Sequence, residues 1–189
     1  MRLILVRHGE TVENANEIMQ GHLPGKLNDK GIKQAKKVAE RLKDEKIDYI
    51  YCSDLARAVD TSKEIVKYHL GIPIKYVKEL REKHYGIFQG KKHSEIDFEN
   101  DPEGGETMAE FTRRVMDFLE KVINQHVNDT VLFIFHGGPM GMIMSKLRKI
   151  DYNEFMRDKG LKNTGVSIID FDKDKNINIR SCDCIEHLK

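Results

Sequence analysis

Three short stretches of the sequence place basic side chains directly after a run of apolar residues: RHGE, SDLAR and HGG. Each apolar run predicts a buried strand, and a polar tip on its own also fits a solvated strand end. In an open parallel sheet, however, binding sites form beyond the carboxyl ends of the strands. The three tips therefore predict one pocket that contains Arg7, His8, Arg57 and His136.

The chemistry expected of this pocket is anion binding, because clustered positive charges are costly unless an anion neutralises them. The planar forks of arginines match phosphate, which each of them binds with two hydrogen bonds. A histidine between arginines is discouraged from taking up a proton, so we expect His8 to be neutral at neutral pH. A neutral imidazole beside a bound phosphate is a nucleophile. We also expect helix amides after Gly9 to donate hydrogen bonds to the phosphate.

The stretch ELREKHYGIFQG supplies two carboxyl groups for acid catalysis, those of Glu79 and Glu82. A carboxyl group beside a bound phosphate has a raised pKa, which suits proton donation at neutral pH. The residue types alone do not decide between the two, and Glu82 also fits a surface charge paired with Arg81 or Lys83.

Composition and charge limit the possible partners of this 189-residue chain, which is long enough for one ordinary domain. Its net charge of +1 argues against a broad nucleic-acid interface. The apolar runs are too short to cross a bilayer, and the N-terminal one is too short for a signal peptide. The three cysteines predict no disulfide framework, and the CxC of Cys182 and Cys184 is a weak metal signal. We expect a cytoplasmic protein without a membrane or nucleic-acid partner.

Strand and helix signals alternate along the chain, which predicts a three-layer α/β/α sandwich with a mostly parallel central sheet. Strands are expected at residues 2–6, 48–52, 74–77, 130–135, 164–171 and 177–181. Helices are expected at residues 28–43, 53–70, 107–125, 138–148 and 152–157. Because the sequence contains no linker or repeat, residues 1–189 are predicted to form a single domain.

Capping residues predict where the main helices begin. Asn28 is expected to cap the first of them, and Ser53 or Asp54 the second. Thr107 and Glu110 form the pattern of a capping box for the third. The spacing of apolar residues predicts the buried face of the first helix, which contains Ile32, Ala35, Val38, Ala39 and Leu42.

These stretches resemble the histidine phosphatase superfamily, which is also called the phosphoglycerate mutase-like family. The matching segments are LVRHGET, Asn14, Gln20–Gly21, LNDKGIKQA, SDLARAVDTS, LREKHYGIFQG, GGET and HGG. They occur in the family's order over nearly the whole chain, and RHG with a distant HG is a specific combination. The resemblance implies the family's α/β fold and a phosphoryl-transfer chemistry that uses neither a metal nor a cofactor.

The resemblance also implies a role for each matching residue. His8 would be the nucleophile that becomes phosphorylated. Glu82 of the LRE segment, rather than Glu79, would protonate the leaving oxygen and then take a proton from the attacking water. The residues that would bind the phosphoryl group are Arg7, Asn14, Arg57, His136 and Gly137.

The other end of the pocket, which would hold the leaving group, is expected to involve Gln20, Gly21, His22, His84 and Tyr85. Two readings remain open for some of these residues. His22 and His84 also fit exposed loop histidines, and Tyr85 also fits a ring that packs beneath the loop. For His93 we expect an exposed loop histidine.

Two departures from the family pattern bear on this site. Phe135 stands where a serine often precedes the second histidine, and the segment GHLPGKLN replaces an Asp-Pro-Leu-Thr pattern near the pocket mouth. Only a short lid, at residues 83–106, fits between Glu82 and His136. A short lid leaves a phosphohistidine open to water, which favours hydrolysis over transfer to a bound product.

The resemblance therefore favours a phosphatase for small phosphorylated metabolites, similar to α-ribazole phosphatases and broad-specificity phosphatases. A cofactor-dependent phosphoglycerate mutase and a fructose-bisphosphatase-type sugar phosphatase are alternatives, because their versions of KHYGIFQG are similar. A non-catalytic phosphate-binding module is the alternative from another class, and it would require the loss of His8 or Glu82. We expect the chain to be a monomer or a homodimer.

Overall fold

The computed structural model describes residues 1–97 and 100–189, with the side chains of residues 158 and 159 left out of the description. The lid predicted at 83–106 therefore includes two positions, 98 and 99, that lie outside the described residues. Among the described residues, no helix is both long and apolar enough to cross a membrane.

A six-stranded sheet forms the centre of the fold, in the order β3-β2-β4-β1-β5-β6. The strands are β1 (Arg2–Arg7), β2 (Tyr49–Ser53), β3 (Ile74–Val77), β4 (Thr130–Phe135), β5 (Val166–Phe171) and β6 (Ile177–Cys184). The first four strands are parallel, whereas β5 runs antiparallel to β1, and β6 antiparallel to β5. The predicted mostly parallel sheet is thus confirmed. The limits of β5 and β6 differ from the predicted ones by at most three residues.

The parallel register explains why distant parts of the sequence meet at one site. Arg7, the last residue of β1, pairs with Phe135, the last residue of β4. His8 and His136 therefore leave neighbouring strands at the same level of the sheet. Ser53 ends the next strand, β2, at the same edge of the sheet.

Helices cover both faces of the sheet, which gives the predicted three layers. They are α1 (Val12–Ala15), α2 (Asp29–Leu42), α3 (Ala56–Ile65), α4 (Met108–Gln125), α5 (Gly137–Arg148) and α6 (Tyr152–Lys159). Alternate residues of β1 point to opposite faces. Leu3 and Leu5 pack with residues of α4 and α5, whereas Ile4 and Val6 pack with residues of α2 and α3.

Helix α2 begins as predicted and buries four of the five residues of its expected face, so the prediction fails only at Ile32. The side chain of Asn28 accepts a hydrogen bond from the Gly31 amide at 2.8 Å. Ile32, which was expected to be buried, is 41% exposed. Gly31 is turned inward instead, where a Cβ would lie 1.9 Å from the carbonyl oxygen of Glu10. Close contact with the chain after β1 therefore sets the helix rotation, and apolar periodicity does not reveal that contact.

The predicted cap of α3 is wrong, because both candidate side chains have other partners. Helix α3 begins at Ala56 with Leu55 at its N-cap, and no side chain caps it. The Ser53 hydroxyl bonds to His136, and the Asp54 carboxylate forms an ion pair with Arg81 at 2.6 Å. The helix also ends at Ile65 rather than residue 70, and a 3₁₀ turn follows it.

Candidate active site

A cavity of about 600 Å³ opens at the edge of the sheet where β1, β2 and β4 end. Most of the predicted site residues line it: Arg7, His8, Asn14, Gln20, Gly21, Arg57, Glu82, Tyr85 and Gly137. His136 is fully buried beneath it, with its ring centroid 5.1 Å from that of His8. His22 and His84 are not among the described residues that line this cavity.

The hydrogen bonds of His8 fix which ring nitrogen carries the proton. Nδ1 lies 2.7 Å from the carbonyl oxygen of Gly9, which can only accept a hydrogen bond, so Nδ1 is the protonated nitrogen. Nε2 in turn accepts a hydrogen bond from Nε of Arg57 at 3.2 Å. Nε2 is therefore the nitrogen that carries the lone pair a nucleophile needs, and in this structure that lone pair accepts the hydrogen bond from Arg57.

Arg57 connects both histidines with the loop that follows α1. Its Nε lies 3.2 Å from Nε2 of His8 and 3.2 Å from Nδ1 of His136. Its two terminal nitrogens donate to the carbonyl oxygens of Gly21 and Leu23 at 2.8 and 2.7 Å. The two imidazoles and the two carbonyl oxygens therefore fix the orientation of the guanidinium before any anion binds.

His136 is oriented from the opposite side by β2. Because its Nδ1 accepts from Arg57, its Nε2 carries the proton and donates to the Ser53 hydroxyl at 2.8 Å. The same hydroxyl accepts a hydrogen bond from the amide of Leu55 at 3.3 Å, and because α3 begins only at Ala56, Ser53 does not cap it.

Burial and the arginines keep both imidazoles neutral. Burial is the main reason why the pKa of His8 lies well below its usual value, and the charges of Arg57 and Arg7 lower it further. The pKa of His136 is lowered well below its usual value by burial first and then by Arg57. Burial also lowers the pKa of Arg57, to about 10, so the guanidinium is still charged at neutral pH. The expected neutral state of His8 thus has burial as its larger cause and the arginines as its smaller one.

Arg7 presents an unsatisfied donor to the site. One terminal nitrogen donates to the carbonyl oxygen of Leu161, while its buried Nε has no hydrogen-bond partner among the described residues. A buried N–H without a partner is costly, and an oxygen of a bound phosphate would satisfy it. A Cβ at Gly137 would lie 3.4 Å from Nε of Arg7, in contact with it. Because glycine has no Cβ, this side of Nε is left open for such an oxygen.

The expected helix amides after Gly9 are not available to an anion. The amide of Gly9 donates to the Thr61 hydroxyl, and that of Glu10 donates to the Gln34 side chain. The amide of Thr11 donates to Oδ1 of Asn14 at 3.2 Å. Oδ1 of Asn14 is thus used within the loop. The amide nitrogen Nδ2 of this cavity-lining residue is the group that would donate to a phosphate.

Of the two candidate acids, Glu82 lines the cavity and Glu79 is an exposed residue. The Glu82 carboxylate accepts hydrogen bonds from the Gly138 amide at 3.0 Å and the Lys83 amide at 2.9 Å. A Cβ at Gly138 would lie 1.9 Å from Oε1 of Glu82. The second glycine of the HGG stretch therefore allows the carboxylate to approach the start of α5.

His22 and His84 lie behind Glu82 and pack edge to face, with ring centroids 4.7 Å apart. Nε2 of His22 donates to the carbonyl oxygen of Glu82 at 2.9 Å, so this ring supports the backbone of the acid. Nδ1 of His84 accepts from the Gly86 amide at 3.2 Å. Neither of these two histidines is among the described residues that line the cavity, and their contact with substrate stays a prediction. His93 is exposed, as expected, and it also lines the cavity.

A segment near the C-terminus, residues 161–165, supports the RHG stretch and was not expected from the sequence. Asn163 donates from its side chain to the carbonyl oxygen of His8 at 3.0 Å, and the Thr164 amide donates to that of Arg7 at 3.0 Å. The Asp183 carboxylate holds this segment by accepting from the Lys162 amide at 3.0 Å. The sequence carries no signal for this, because these residues belong to no motif that predicts chemistry.

No group of three or more His, Cys, Asp or Glu side chains suited to a metal ion occurs within the part of the chain that the structure describes. Two arginines, Arg7 and Arg57, line the cavity.

Comparison with known proteins bears out the family resemblance. Residues 3–183 match the model of the histidine phosphatase superfamily, branch 1. The metal-independent phosphoserine phosphatase of Arabidopsis thaliana is 37% identical over 161 residues, which cover 77% of this chain and 68% of that protein. The adenosylcobalamin/alpha-ribazole phosphatase of Salmonella typhimurium is 31% identical over 161 residues, 78% of this chain and 79% of that protein.

The fold agrees with a solved structure, Bacillus stearothermophilus YhfR. The TM-score is 0.91 and the sequence identity 27%, with 100% of this chain and 99% of that chain covered. The family match spans nearly the whole chain, and the relatives it resembles are named phosphatases. The chain therefore belongs to the histidine phosphatase superfamily and is a phosphatase of that family.

Proposed function

We propose that the chain hydrolyses phosphomonoesters of small metabolites through a phosphohistidine on His8, without a metal ion. The observation that carries the proposal is the neutral imidazole of His8, which lines the cavity together with Arg7 and Arg57 and whose Nε2 carries no proton. The positive charge that a metal supplies in other phosphoryl-transfer enzymes would come here from Arg7 and Arg57.

In the first step, the lone pair of His8 Nε2 attacks the phosphorus atom. The Nε2–P bond forms as the bond from phosphorus to the leaving oxygen breaks. Glu82, in its protonated form, gives its proton to that oxygen, so the product leaves as an alcohol. Arg7, Arg57 and Asn14 stabilise the charge on the three phosphoryl oxygens, and Nδ1 of His8 keeps its proton through the bond to Gly9.

In the second step, water attacks the phosphohistidine. The Glu82 carboxylate takes a proton from the water, the new P–O bond forms, and the P–Nε2 bond breaks. Inorganic phosphate leaves, while Glu82 is again protonated and His8 is again neutral. The cavity of about 600 Å³ is large enough to admit a small leaving group and then water.

The test is phosphate release from a panel of phosphorylated metabolites in the presence of EDTA. The panel contains O-phosphoserine, 3-phosphoglycerate, α-ribazole phosphate, a fructose bisphosphate, a nucleotide and nitrophenyl phosphate. We expect release with EDTA, and its loss in His8→Ala. A base-stable, acid-labile phosphate on the wild-type chain after a short reaction would identify the phosphohistidine.

Two outcomes would contradict the proposal. Full activity in His8→Ala would exclude the nucleophile, and activity that EDTA removes and magnesium restores would exclude the metal-independent mechanism. If no phosphate is released but phosphate moves between the positions of phosphoglycerate, the chain is a mutase rather than a hydrolase.

A further inference from the structure

One arginine of helix α4, Arg114, lies behind the residue that the proposed reaction uses as its acid. An arginine side chain has five N–H donors in a fixed planar arrangement. Arg114 makes five hydrogen bonds, as many as it has donors, and their lengths lie between 2.6 and 3.1 Å. The acceptors are a carboxylate on one side and the main chain around Glu82 on the other. The guanidinium therefore joins these two.

The main-chain side of this contact is the acid loop, which we define as residues 79–84. Nη1 of Arg114 donates to the carbonyl oxygens of Glu79 at 2.8 Å and Arg81 at 3.0 Å. Nη2 donates to the carbonyl oxygen of Glu82 at 3.1 Å. Because three carbonyl oxygens of one short loop bind to the same rigid guanidinium, Arg114 fixes the path of the main chain through the acid.

The carboxylate on the other side of the guanidinium is that of Glu106, which belongs to the GGET stretch. Nε and Nη2 of Arg114 donate to its two oxygens at 2.6 and 2.7 Å, the paired geometry in which an arginine binds a carboxylate most strongly. One of these oxygens also accepts from the His84 amide at 2.8 Å, at the end of the acid loop. Glu106 therefore holds Arg114 and the acid loop together.

The ion pair of Arg114 and Glu106 is charged and largely shielded from water. The two side chains are 20% and 19% exposed. Burial disfavours the charged carboxylate, but the hydrogen bonds from Arg114 and the His84 amide outweigh burial, so the pKa of Glu106 lies below its ordinary value. The guanidinium also lies over the buried ring of Phe111, with Cζ 5.4 Å from the ring centroid. Arg114 is thus held from the core side as well as from the loop side.

The carbonyl oxygen of Glu82 has a second donor, Nε2 of His22 at 2.9 Å. A carbonyl oxygen has two lone pairs, so Arg114 and His22 together use both. The carboxylate of the same residue accepts from the amides of Lys83 and Gly138. A general acid acts only within hydrogen-bond reach of the leaving oxygen, so its efficiency depends on where its main chain is held.

We propose that Arg114 is a positioning residue, which holds the acid loop so that the Glu82 carboxyl group reaches the leaving oxygen. The inference rests on the proposed function, in which Glu82 is the acid. Arg114 is not among the described residues that line the cavity, so it would act through Glu82 rather than by contact with the substrate. Its loss should slow the step that needs a proton, while Arg7 and Arg57 still bind phosphate.

The test compares phenyl phosphate with nitrophenyl phosphate, whose leaving groups are similar in size but differ in how much they need a proton. The measurements are kcat for both substrates and the inhibition constant of inorganic phosphate. In Arg114→Met, kcat for phenyl phosphate should fall by up to about a hundredfold, the size expected when a catalytic group is displaced. Nitrophenyl phosphate should lose much less, and inhibition by inorganic phosphate should be unchanged. Arg113→Met removes the neighbouring, exposed arginine of α4 and is the matched control.

A double variant tests whether Arg114 acts through Glu82. Once Glu82→Gln has removed the acid, adding Arg114→Met should cause no further loss of kcat for phenyl phosphate. A further loss by the same factor as in the single variant would overturn the proposal. Arg114→Lys is the second variant, in case Arg114→Met does not fold. Lysine keeps the charge beside Glu106 but lacks the planar fork, so the same selective loss should appear, smaller in size.

The outcomes separate a failure of this inference from a failure of the proposed function. If Glu82→Gln slows phenyl phosphate selectively but the Arg114 variants slow both substrates equally or neither, Arg114 has no positioning role and the proposed function stands. If Glu82→Gln itself slows both substrates equally, Glu82 is not the acid. That result would contradict the proposed mechanism and the role of Arg114 with it.

Discussion

The inner end of the cavity consists of side chains that are almost fully buried, whereas its outer end consists of exposed side chains on loops. His8, Arg57 and His136 are 3%, 1% and 0% exposed, and each is held by at least one hydrogen bond from another element. Glu17 and His93, which line the outer end, are exposed. From this difference we expect the inner end to determine whether the proposed reaction occurs, and the exposed outer end to affect which ester reacts.

Among substitutions that test the inner end of the cavity, Glu82→Gln is expected to cause the largest loss of activity. Removing the acid should lower kcat for alkyl phosphates by about 10² to 10⁴-fold, because a poor leaving group needs a proton. Nitrophenyl phosphate, with a good leaving group, should lose much less. Glu79→Gln changes an exposed carboxylate three residues earlier and serves as the matched control. Equal losses for both substrates would argue against Glu82 as the acid.

A smaller loss is expected from Gly138→Ala, which tests whether the inner end depends on the placement of Glu82. The new methyl group would lie 1.9 Å from Oε1 of Glu82 and would force the carboxylate away. A displacement of this kind can lower kcat by up to about a hundredfold. Gly141→Ala, on the same helix, would meet the flexible Met156 side chain and controls for effects on α5. If the two variants lose the same activity, the contact with Glu82 is unimportant.

The buried histidines also predict how stability depends on pH. Because the pKa values of His8 and His136 are lowered by folding, their contribution is complete above the unfolded value of 6.5. As the pH falls below that value, the unfolded state takes up protons that the folded state excludes. Each histidine should then lower the free energy of unfolding by up to about 1.4 kcal/mol per pH unit.

Urea denaturation between neutral and mildly acidic pH would measure this dependence, and His8→Ala should flatten it. A slope that is unchanged in His8→Ala would mean that other groups cause it. Glu17→Gln, which changes an exposed side chain, is the matched comparison.

The smallest of these effects is expected from Asp183→Ala, which would loosen the support of the inner end by residues 161–165. The loss of one hydrogen bond to the Lys162 amide should weaken binding of inorganic phosphate about fivefold, because Arg7 is held through Leu161. Asp183→Asn keeps an acceptor oxygen and should restore most of the affinity. Phosphate inhibition constants distinguish this effect from a general loss of stability, and an unchanged constant in Asp183→Ala would exclude the supporting role.

The inner end was predictable from the sequence because it follows from one rule, that parallel strands end at a common edge. That rule brings Arg7, His8, Arg57 and His136 together without any knowledge of the helices. The choice of Glu82 over Glu79 needed the family resemblance, since both carboxyl groups lie in the same loop.

The failures of prediction share a different cause, which is competition for a hydrogen-bonding partner. Ser53 has the sequence of a helix cap, yet its hydroxyl is bound to His136. The amides after Gly9 point into Thr61 and Gln34 rather than toward an anion. The support of the RHG stretch by residues 161–165 and Asp183 depends on contacts between distant segments, which leave no local pattern.

The position of β1 in the sheet has a consequence for the order of folding during synthesis. β1 precedes both of its neighbours along the chain, since β4 and β5 are made only after residue 129 and residue 165. Until then His8 follows a strand that has no hydrogen-bonded neighbour, and an unpaired apolar strand is prone to aggregate. The candidate site and the hydrophobic core are therefore completed together and late in synthesis.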